Sequence, residues 1–525
     1  MPRLTVDNRE IEVAQGATIL DAAAKVGIEI PTMCFLKALE PFTSCMLCVV
    51  KVDNQDGLVP ACGTLAGDGM CVQTDTEEIR QARRTALELL LSDHVGDCMG
   101  PCQLACPAKM NIPLMLRQII SGELERAIAT VKRDIALPAV LGKICPGPCE
   151  KVCRRAQFDQ AVTICQLKRY VADVDLKSPQ PYVPSRQSRC QKRVAIVGAG
   201  PAGLSAAYYL LQGGFDCAVF DDHDEPGGML RYGISEKELP RDVLNAEIAA
   251  IEKLGFEFRG ASRVGVDISL EQLRGDFDAV FVATGRSEAD EQNLLGLKTG
   301  PRGILVDTRT YQTDRPGVFA GGDVVRNRRL AVRSVADGKE AAVAIGQYLS
   351  GQPVVGLVRL FNSRMGKPKE GEIETFMANA DSIVRVEPQG MGRDYSAGDA
   401  RSQARRCVHC DCRKAQNCKL RDYAQDYEAS SRKFKTQRQP FVQKLQHPLA
   451  VFEPGKCIDC GLCIQITAKA GEKLGLTFIG RGFDVTVAVP FDRSIAEGLQ
   501  RAAQQCVDAC PTGALALKED FEAAE

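Results

Sequence analysis

The chain has 525 residues, enough for about three or four domains at roughly 150 residues each. Its 66 Lys and Arg balance 67 Asp and Glu to a net charge of −1, which gives no footing for nucleic acid or an anionic membrane surface. No apolar run approaches the roughly 20 residues that a membrane helix needs, so no membrane insertion is expected. The opening stretch MPRLTVDNREIEV alternates polar and apolar residues and lacks the apolar core of a signal peptide, which points to a cytoplasmic protein. There, 23 cysteines gathered in close groups read as metal ligands before they read as disulfides.

Five segments are separable: 1–80, 81–185, 186–350, a Gly-rich connector over 351–400, and 401–525. The first opens with two strands, RLTVDN and EIEVAQG, and a short helix, TILDAAAKVG. Cys34, Cys45, Cys48 and Cys62 follow in the spacing C-x10-C-x2-C-x13-C. Thiolates are the soft ligands that hold iron–sulfur clusters; a structural zinc is the competing reading. With the strand–strand–helix before it, the group resembles the N-terminal 2Fe–2S domain of the large Fe–S subunit of respiratory NADH dehydrogenase. That resemblance implies a β-grasp fold. Cys71 fits no ligand slot.

Segment 81–185 is mainly helical and carries cysteines at the helix ends. SDHVGDCMGPCQLACPAKMNIP offers His94, Cys98, Cys102 and Cys106, and GKICPGPCEKVC offers Cys145, Cys149 and Cys153. This arrangement resembles the glutamate synthase small subunit and the N-terminal domain of dihydropyrimidine dehydrogenase, which hold two 4Fe–4S clusters in a helical domain. The resemblance implies one cluster on Cys98, Cys102 and Cys153, with His94 completing it, and another on Cys106, Cys145 and Cys149. At the position where related proteins supply Glu or Gln stands Lys168, a cation with no lone pair to offer. Cys165, one helical turn back on the same face, is the candidate fourth ligand.

Segment 186–350 alternates strand and helix. KRVAIVGAGPAGLSAAYYLL places Gly198, Gly200 and Gly203 in a GxGxxG turn between strand and helix, where backbone can approach a pyrophosphate. The second strand ends at Asp221, placed to accept from ribose hydroxyls. PGGML (with Gly228), VFVATG (ending at Gly285) and RPGVFAGGDVV (with Gly322 and Asp323) complete a set that resembles the FAD domain of the glutamate synthase small-subunit family. In that family a nicotinamide domain is inserted in the FAD domain. Here only 35 residues separate Gly285 from Gly321, room for roughly one βαβ unit, and they contain no second GxGxxG.

The last segment reads as a ferredoxin-like 4Fe–4S domain with two clusters. Cys407, Cys410, Cys412 and Cys418 lie within twelve residues and are expected to close one cluster. Cys457, Cys460 and Cys463, with Cys510 before Pro511, are expected to hold the other, leaving Cys506 over; Thr467 stands where a two-cluster ferredoxin has a Cys. Both stretches resemble the NADH dehydrogenase large subunit. The cofactor set is thus FAD, one 2Fe–2S and about four 4Fe–4S clusters, and no catalytic side-chain constellation is present. The reading is an oxidoreductase subunit that passes electrons between FAD and clusters inside a multisubunit complex. Its partners would be an NADH-oxidising flavoprotein, or the catalytic subunit of a formate dehydrogenase or hydrogenase. A self-sufficient NAD(P)H-dependent reductase and a zinc-stabilised scaffold are the alternatives.

Overall fold

The alternating N-terminal residues become paired strands in the computed structural model, which describes residues 1–285, 295–378, 380–387, 394–434 and 438–518. The chain divides into two units. One is Met1–Gly100 with Leu360–Asn379 and His409–Glu525; the other is Pro101–Arg359 with Ala380–Val408. Segments 81–185, 351–400 and 401–525 are therefore each shared between units. The chain leaves the first unit after Gly100 and returns to it hundreds of residues later, which no local pattern reveals. Part of the connector, 388–393, lies outside the described residues.

In the first unit β1 (Arg3–Val6), β2 (Arg9–Glu12), β3 (Val49–Val52), β4 (Leu58–Pro60) and β5 (Cys71–Gln73) form one sheet in the order β2-β1-β5-β3-β4. The β1–β5 pair is parallel and the others are antiparallel. Helix α1 (Ile19–Lys25) starts at a capping box of Thr18 and Asp21 and buries Ile19, Ala22 and Ala23 against Leu4, Val6 and Val50. Helix α2 (Glu77–Ser92) starts at Thr76, whose hydroxyl accepts from the Ile79 N–H. It aims Leu87 and Leu91 into a second core with Met33, Leu47, Leu420 and Leu462. Strand pairs 450–452 with 515–517 and 477–479 with 486–488 frame a third core, against which Leu462–Lys469 and Ala503–Ala509 pack.

A buried ion pair ties distant parts of this unit together. Glu372 accepts from both Arg438 Nη atoms at 2.7 Å and from the Phe441 N–H at 2.7 Å. Burial works against its charge, but these donors and the Lys369 N–H outweigh it and hold the carboxyl at about 2. A carboxylate depressed in the folded state stabilises above its unfolded pKa and loses that contribution as pH falls. Glu372→Gln is therefore expected to cost about 3 kcal/mol at pH 7. The wild-type-minus-variant difference in unfolding free energy should shrink as pH drops from about 4.5 towards 2; a difference independent of pH would show that the ion pair contributes nothing.

The second unit opens with α3 (Pro101–Ala105), α4 (Ile112–Ser121), α5 (Leu124–Asp134), α6 (Pro138–Ile144) and α7 (Ile164–Leu176). A parallel sheet follows: Val318–Ala320, β9 (Ala279–Val282), β6 (Arg193–Val197), β7 (Asp216–Phe220) and β8 (Glu257–Arg259), in that order. Helix α8 (Pro201–Gln212) packs on helix Ala331–Leu349 so closely that a Cβ at Gly338 would lie 2.2 Å from Ala202 O. One apolar core runs from the helices, with Cys106 and Cys149, to the sheet, with Ile196 and Phe281. Of the 35-residue interval after Gly285, residues 286–294 lie outside the described residues.

Candidate metal centres and flavin site

Four of the first unit's thiols meet below the N-terminal sheet. Cys34 and Cys45 sulfurs are 3.3 Å apart, as are those of Cys48 and Cys62, and all four residues are buried. Within each pair the two thiols share a hydrogen bond. The Cys45 thiol holds Cys34 down to about 5 and the Cys62 thiol holds Cys48 down to about 7, while Cys45 and Cys62 are pushed up by the same bonds and by burial. Four buried sulfurs in two close pairs make a donor set suited to a dinuclear iron cluster.

A second set brings together residues far apart in the chain. Cys98 is joined to Cys412, whose N–H donates to Cys98 O at 3.3 Å. Burial and the neighbouring Cys412 push Cys98 up, and burial, Cys412 and Cys98 push Cys418 up to about 12. The Ser363 N–H donates to Cys98 Sγ at 3.4 Å. A Cβ at Gly513 would lie 2.3 Å from Cys412 Sγ, so only glycine lets that sulfur in. His94 stands four residues before Cys98. Burial and nearby Lys456 push it down to about 4, so the ring is neutral, and its buried Nδ1 has no hydrogen-bond partner. A neutral imidazole with an orphaned nitrogen is what a metal takes. Cys412 and Cys418 sit with Cys98 in the first unit, and Cys407 belongs to the second.

Cys457, Cys460, Cys463 and Cys510 line one apolar cavity with Phe452, Leu462 and Pro511. Burial pushes all three of Cys457, Cys460 and Cys463 up, Cys460 to about 12. Thiols that resist ionisation in an apolar pocket are ionised by the metal they bind, releasing protons. The Asp459 N–H donates to Cys457 Sγ at 3.4 Å. Cys506 is fully buried and its thiol donates to Cys463 O at 3.7 Å. The Thr467 hydroxyl donates to Ile464 O at 2.9 Å, a helix-internal bond. Cys34 and Cys45 of the first set, Cys418 of the second and Cys460 of this one all border the same core.

In the second unit Cys106, Cys145, Cys149 and Cys165 gather. The hydrogen bond to Cys165, then burial, pushes Cys145 up; the bond to Cys145 lowers Cys165, but the bond with Cys149 and burial outweigh it, to about 12. A Cβ at Gly147 would touch Cys165 Sγ at 3.4 Å. The helix-face argument that placed Cys165 here therefore brings it to the other three. Cys102, on α3, and Cys153 are joined by the packing of α3 on the turn Glu150–Val152. Cys407 follows Arg406, whose carbonyl accepts from the fully buried Arg155 at 2.7 Å. All three cysteines pack on the core of this unit.

The flavin motifs converge at the C-terminal ends of β6, β7 and β9. Gly198, at φ +107, has Ala283 O 2.4 Å from where a Cβ would be; at Gly203 a Cβ would meet Gly198 O at 1.9 Å. These contacts leave no room for side chains and bring the α8 N-terminus onto the strand. Gly200 is different: it caps α8 without a side-chain acceptor, and a Cβ there would meet nothing within 4 Å. Open space before free helical N–H groups suits a pyrophosphate. Asp221, 8% exposed, is fixed at the end of β7 by the Ala199 N–H at 2.6 Å and the His223 N–H at 3.0 Å. Gly228 packs on Gly200, Gly285 (φ +76) follows β9, and Gly322 abuts Ala202. The Asp323 carboxylate accepts from the N–H groups of Arg328 and Arg329 at 3.2 and 3.3 Å.

Known families and proteins match parts of the chain. Residues 2–77 match the family described as a 2Fe-2S iron-sulfur cluster binding domain, and 73–179 match dihydropyrimidine dehydrogenase domain II, 4Fe-4S cluster. Residues 196–243 match an NAD(P)-binding Rossmann-like domain and 242–338 a pyridine nucleotide-disulphide oxidoreductase domain. The NADP(+)-dependent formate dehydrogenase subunit beta of Moorella thermoacetica is 39% identical over 227 residues, 39% of this chain and 32% of that protein. The NADPH-Fe(3+) oxidoreductase subunit beta of Geobacter sulfurreducens (strain DL-1 / KN400) is 38% identical over 210 residues, 39% of this chain and 31% of that protein. The glutamate synthase (NADPH) small chain of Bacillus subtilis (strain 168) is 34% identical over 229 residues, 41% of this chain and 46% of that protein. The chain spans about a third to a half of these relatives. It carries 2Fe–2S, 4Fe–4S and pyridine-nucleotide-oxidoreductase-type domains, and it resembles the flavin- and Fe–S-containing subunits of oxidoreductases.

Proposed function

We propose that the chain is an electron-transfer component of a multisubunit oxidoreductase, carrying FAD and five iron–sulfur clusters. The observation that carries this is the gathering of three cysteine sets of one unit on a single apolar core, with the flavin motifs and the remaining cysteines on a single core of the other. Cys34, Cys45, Cys48 and Cys62 hold a 2Fe–2S cluster in a β-grasp domain. His94, Cys98, Cys412 and Cys418 hold one 4Fe–4S cluster, and Cys457, Cys460, Cys463 and Cys510 another in a ferredoxin-like domain. In the second unit Cys106, Cys145, Cys149 and Cys165 hold a third; Cys102, Cys153 and Cys407 of the same unit are the ligands offered to a fourth. Gly198, Gly200, Gly203, Asp221, Gly228, Gly285, Gly322 and Asp323 form the FAD site.

Bound FAD exchanges electrons in ones or twos whereas each cluster carries one, so the set links two-electron chemistry to single-electron transfer. The protein's part is physical. Buried thiols keep water from the clusters, and the Ser363 and Asp459 amides donate to ligand sulfurs, which stabilises added negative charge. Asp221 and the α8 N-terminus orient the dinucleotide.

The partners this reading supplies are an NADH-oxidising flavoprotein or the catalytic subunit of a formate dehydrogenase or hydrogenase, met in the cytoplasm. Among the described residues no helix is long and apolar enough to cross a membrane. The matches to pyridine-nucleotide families favour one second reading, a reductase that takes electrons from NAD(P)H itself. Anaerobic mixing with NADH, then NADPH, separates the two. A relay leaves the flavin absorbance unbleached by either and fully reduced by dithionite; rapid bleaching assigns the reductase.

A further inference from the structure

One group of cysteines encloses a cation that cluster binding does not require. Lys168 lies on α7 three residues beyond Cys165 and is 4% exposed. Its Nζ donates to Leu141 O at 3.1 Å, and among the described residues no carboxylate pairs with it. The same Leu141 carbonyl accepts from the Cys145 N–H at 3.2 Å, so the ammonium stands beside the loop that carries Cys145 and Cys149 and one helical turn from Cys165. Glu150, which accepts from the Cys165 N–H at 2.8 Å, is paired with Arg385 at 3.1 Å.

Two other buried lysines near cysteine sets have ordinary partners. Lys456, beside Cys412, pairs with Glu453. Lys414 donates to Val507 O and Cys510 O at 2.8 Å, at the carbonyl end of helix Ala503–Ala509, where a cation is at home. Lys168 has no carboxylate partner among the described residues; like Lys414 it donates to a carbonyl in the last turn of a helix, here Leu141 O of α6. An uncompensated buried ammonium is strongly unfavourable unless an anion shares its pocket. Four thiolates around a 4Fe–4S core supply that anion, and one-electron reduction makes it more negative by one charge. The attraction to a fixed cation grows on reduction, so the cation favours the reduced form.

We propose that Lys168 is a positioning residue that raises the reduction potential of the cluster held by Cys106, Cys145, Cys149 and Cys165, making it the preferred electron acceptor of the two clusters in its unit. This rests on the ligand set given above. The test is an EPR-monitored dithionite titration of the anaerobically purified full chain as wild type, Lys168→Met and Lys168→Arg. Lys168→Met moves the midpoint of one 4Fe–4S signal to more negative potential and leaves the other signals and the iron content unchanged; Lys168→Arg keeps the wild-type midpoint. Unmoved midpoints with full iron overturn the inference. So does loss of about four iron atoms in the Met variant, which would make Lys168 a structural residue. Wild-type iron near 14 rather than 18 per chain, together with a Cys165→Ala variant that loses none, would overturn the ligand set itself and separates that failure from the first.

Discussion

The double variant Cys407→Ser, Cys412→Ser is expected to lose about eight of about 18 iron atoms per chain, where either single variant loses about four. If Cys407, Cys410, Cys412 and Cys418 closed one cluster, as their crowding in sequence suggests, removing two of the four would cost no more than removing one. The two cysteines have different surroundings. Cys412 hydrogen-bonds through its backbone to Cys98 and is seated against Gly513. Cys407 follows helix Ala397–Ala404, with its N–H on Ala404 O, where Arg155 clamps the preceding carbonyl. Anaerobic iron analysis of the three variants decides the matter: a double variant that loses only about four restores the single-cluster arrangement. His94→Ala adds a check. It should alter the EPR signal that disappears in Cys412→Ser and leave untouched the one that disappears in Cys407→Ser.

What the sequence could and could not reveal follows from how far apart the partners lie along the chain. Ligands within a few residues of each other are readable: Cys457, Cys460 and Cys463 line one cavity, and the glycines of 198–203 make the tight turn their spacing implies. Cys165 was reachable by a helix-face argument, because Lys168 marked the position where a ligand was wanted. Cys98 and Cys102 stand differently. They are four residues apart and look like one motif, yet the chain passes from one unit to the other between them, at Gly100 and Pro101. The last return, at Val408 and His409, falls within the next group. Spacing patterns assume that neighbours in sequence share a site. That assumption is weakest where the chain crosses between units, and two of its four crossings fall inside a run of cysteines. The amides that donate to sulfur from Ser363 and Asp459 leave no sequence signal at all, since any residue but proline could supply them.

A pair of glycine variants with opposite structural costs is expected to lose the same cofactor. Gly203→Ala would place its Cβ 1.9 Å from Gly198 O and 3.2 Å from Ile196 Cγ2, far inside the 3.0 Å limit in the first case. No side chain can swing away, because the obstacle is backbone, so the turn itself must open, at about 1–3 kcal/mol or more. Gly200→Ala meets no protein atom within 4 Å, and at φ −76 its backbone suits any residue, so the flavin-free chain should unfold within about 0.5 kcal/mol of wild type. Its methyl would nevertheless stand where the structure leaves space before the α8 N-terminus. If the FAD pyrophosphate lies there, Gly200→Ala weakens FAD binding at least about tenfold, roughly 1.4 kcal/mol, with stability intact. Gly203→Ala loses FAD and stability together. Flavin stoichiometry beside thermal unfolding distinguishes the two routes. Full FAD retention by Gly200→Ala would move the pyrophosphate away from this turn, since nothing else in the molecule objects to the added methyl.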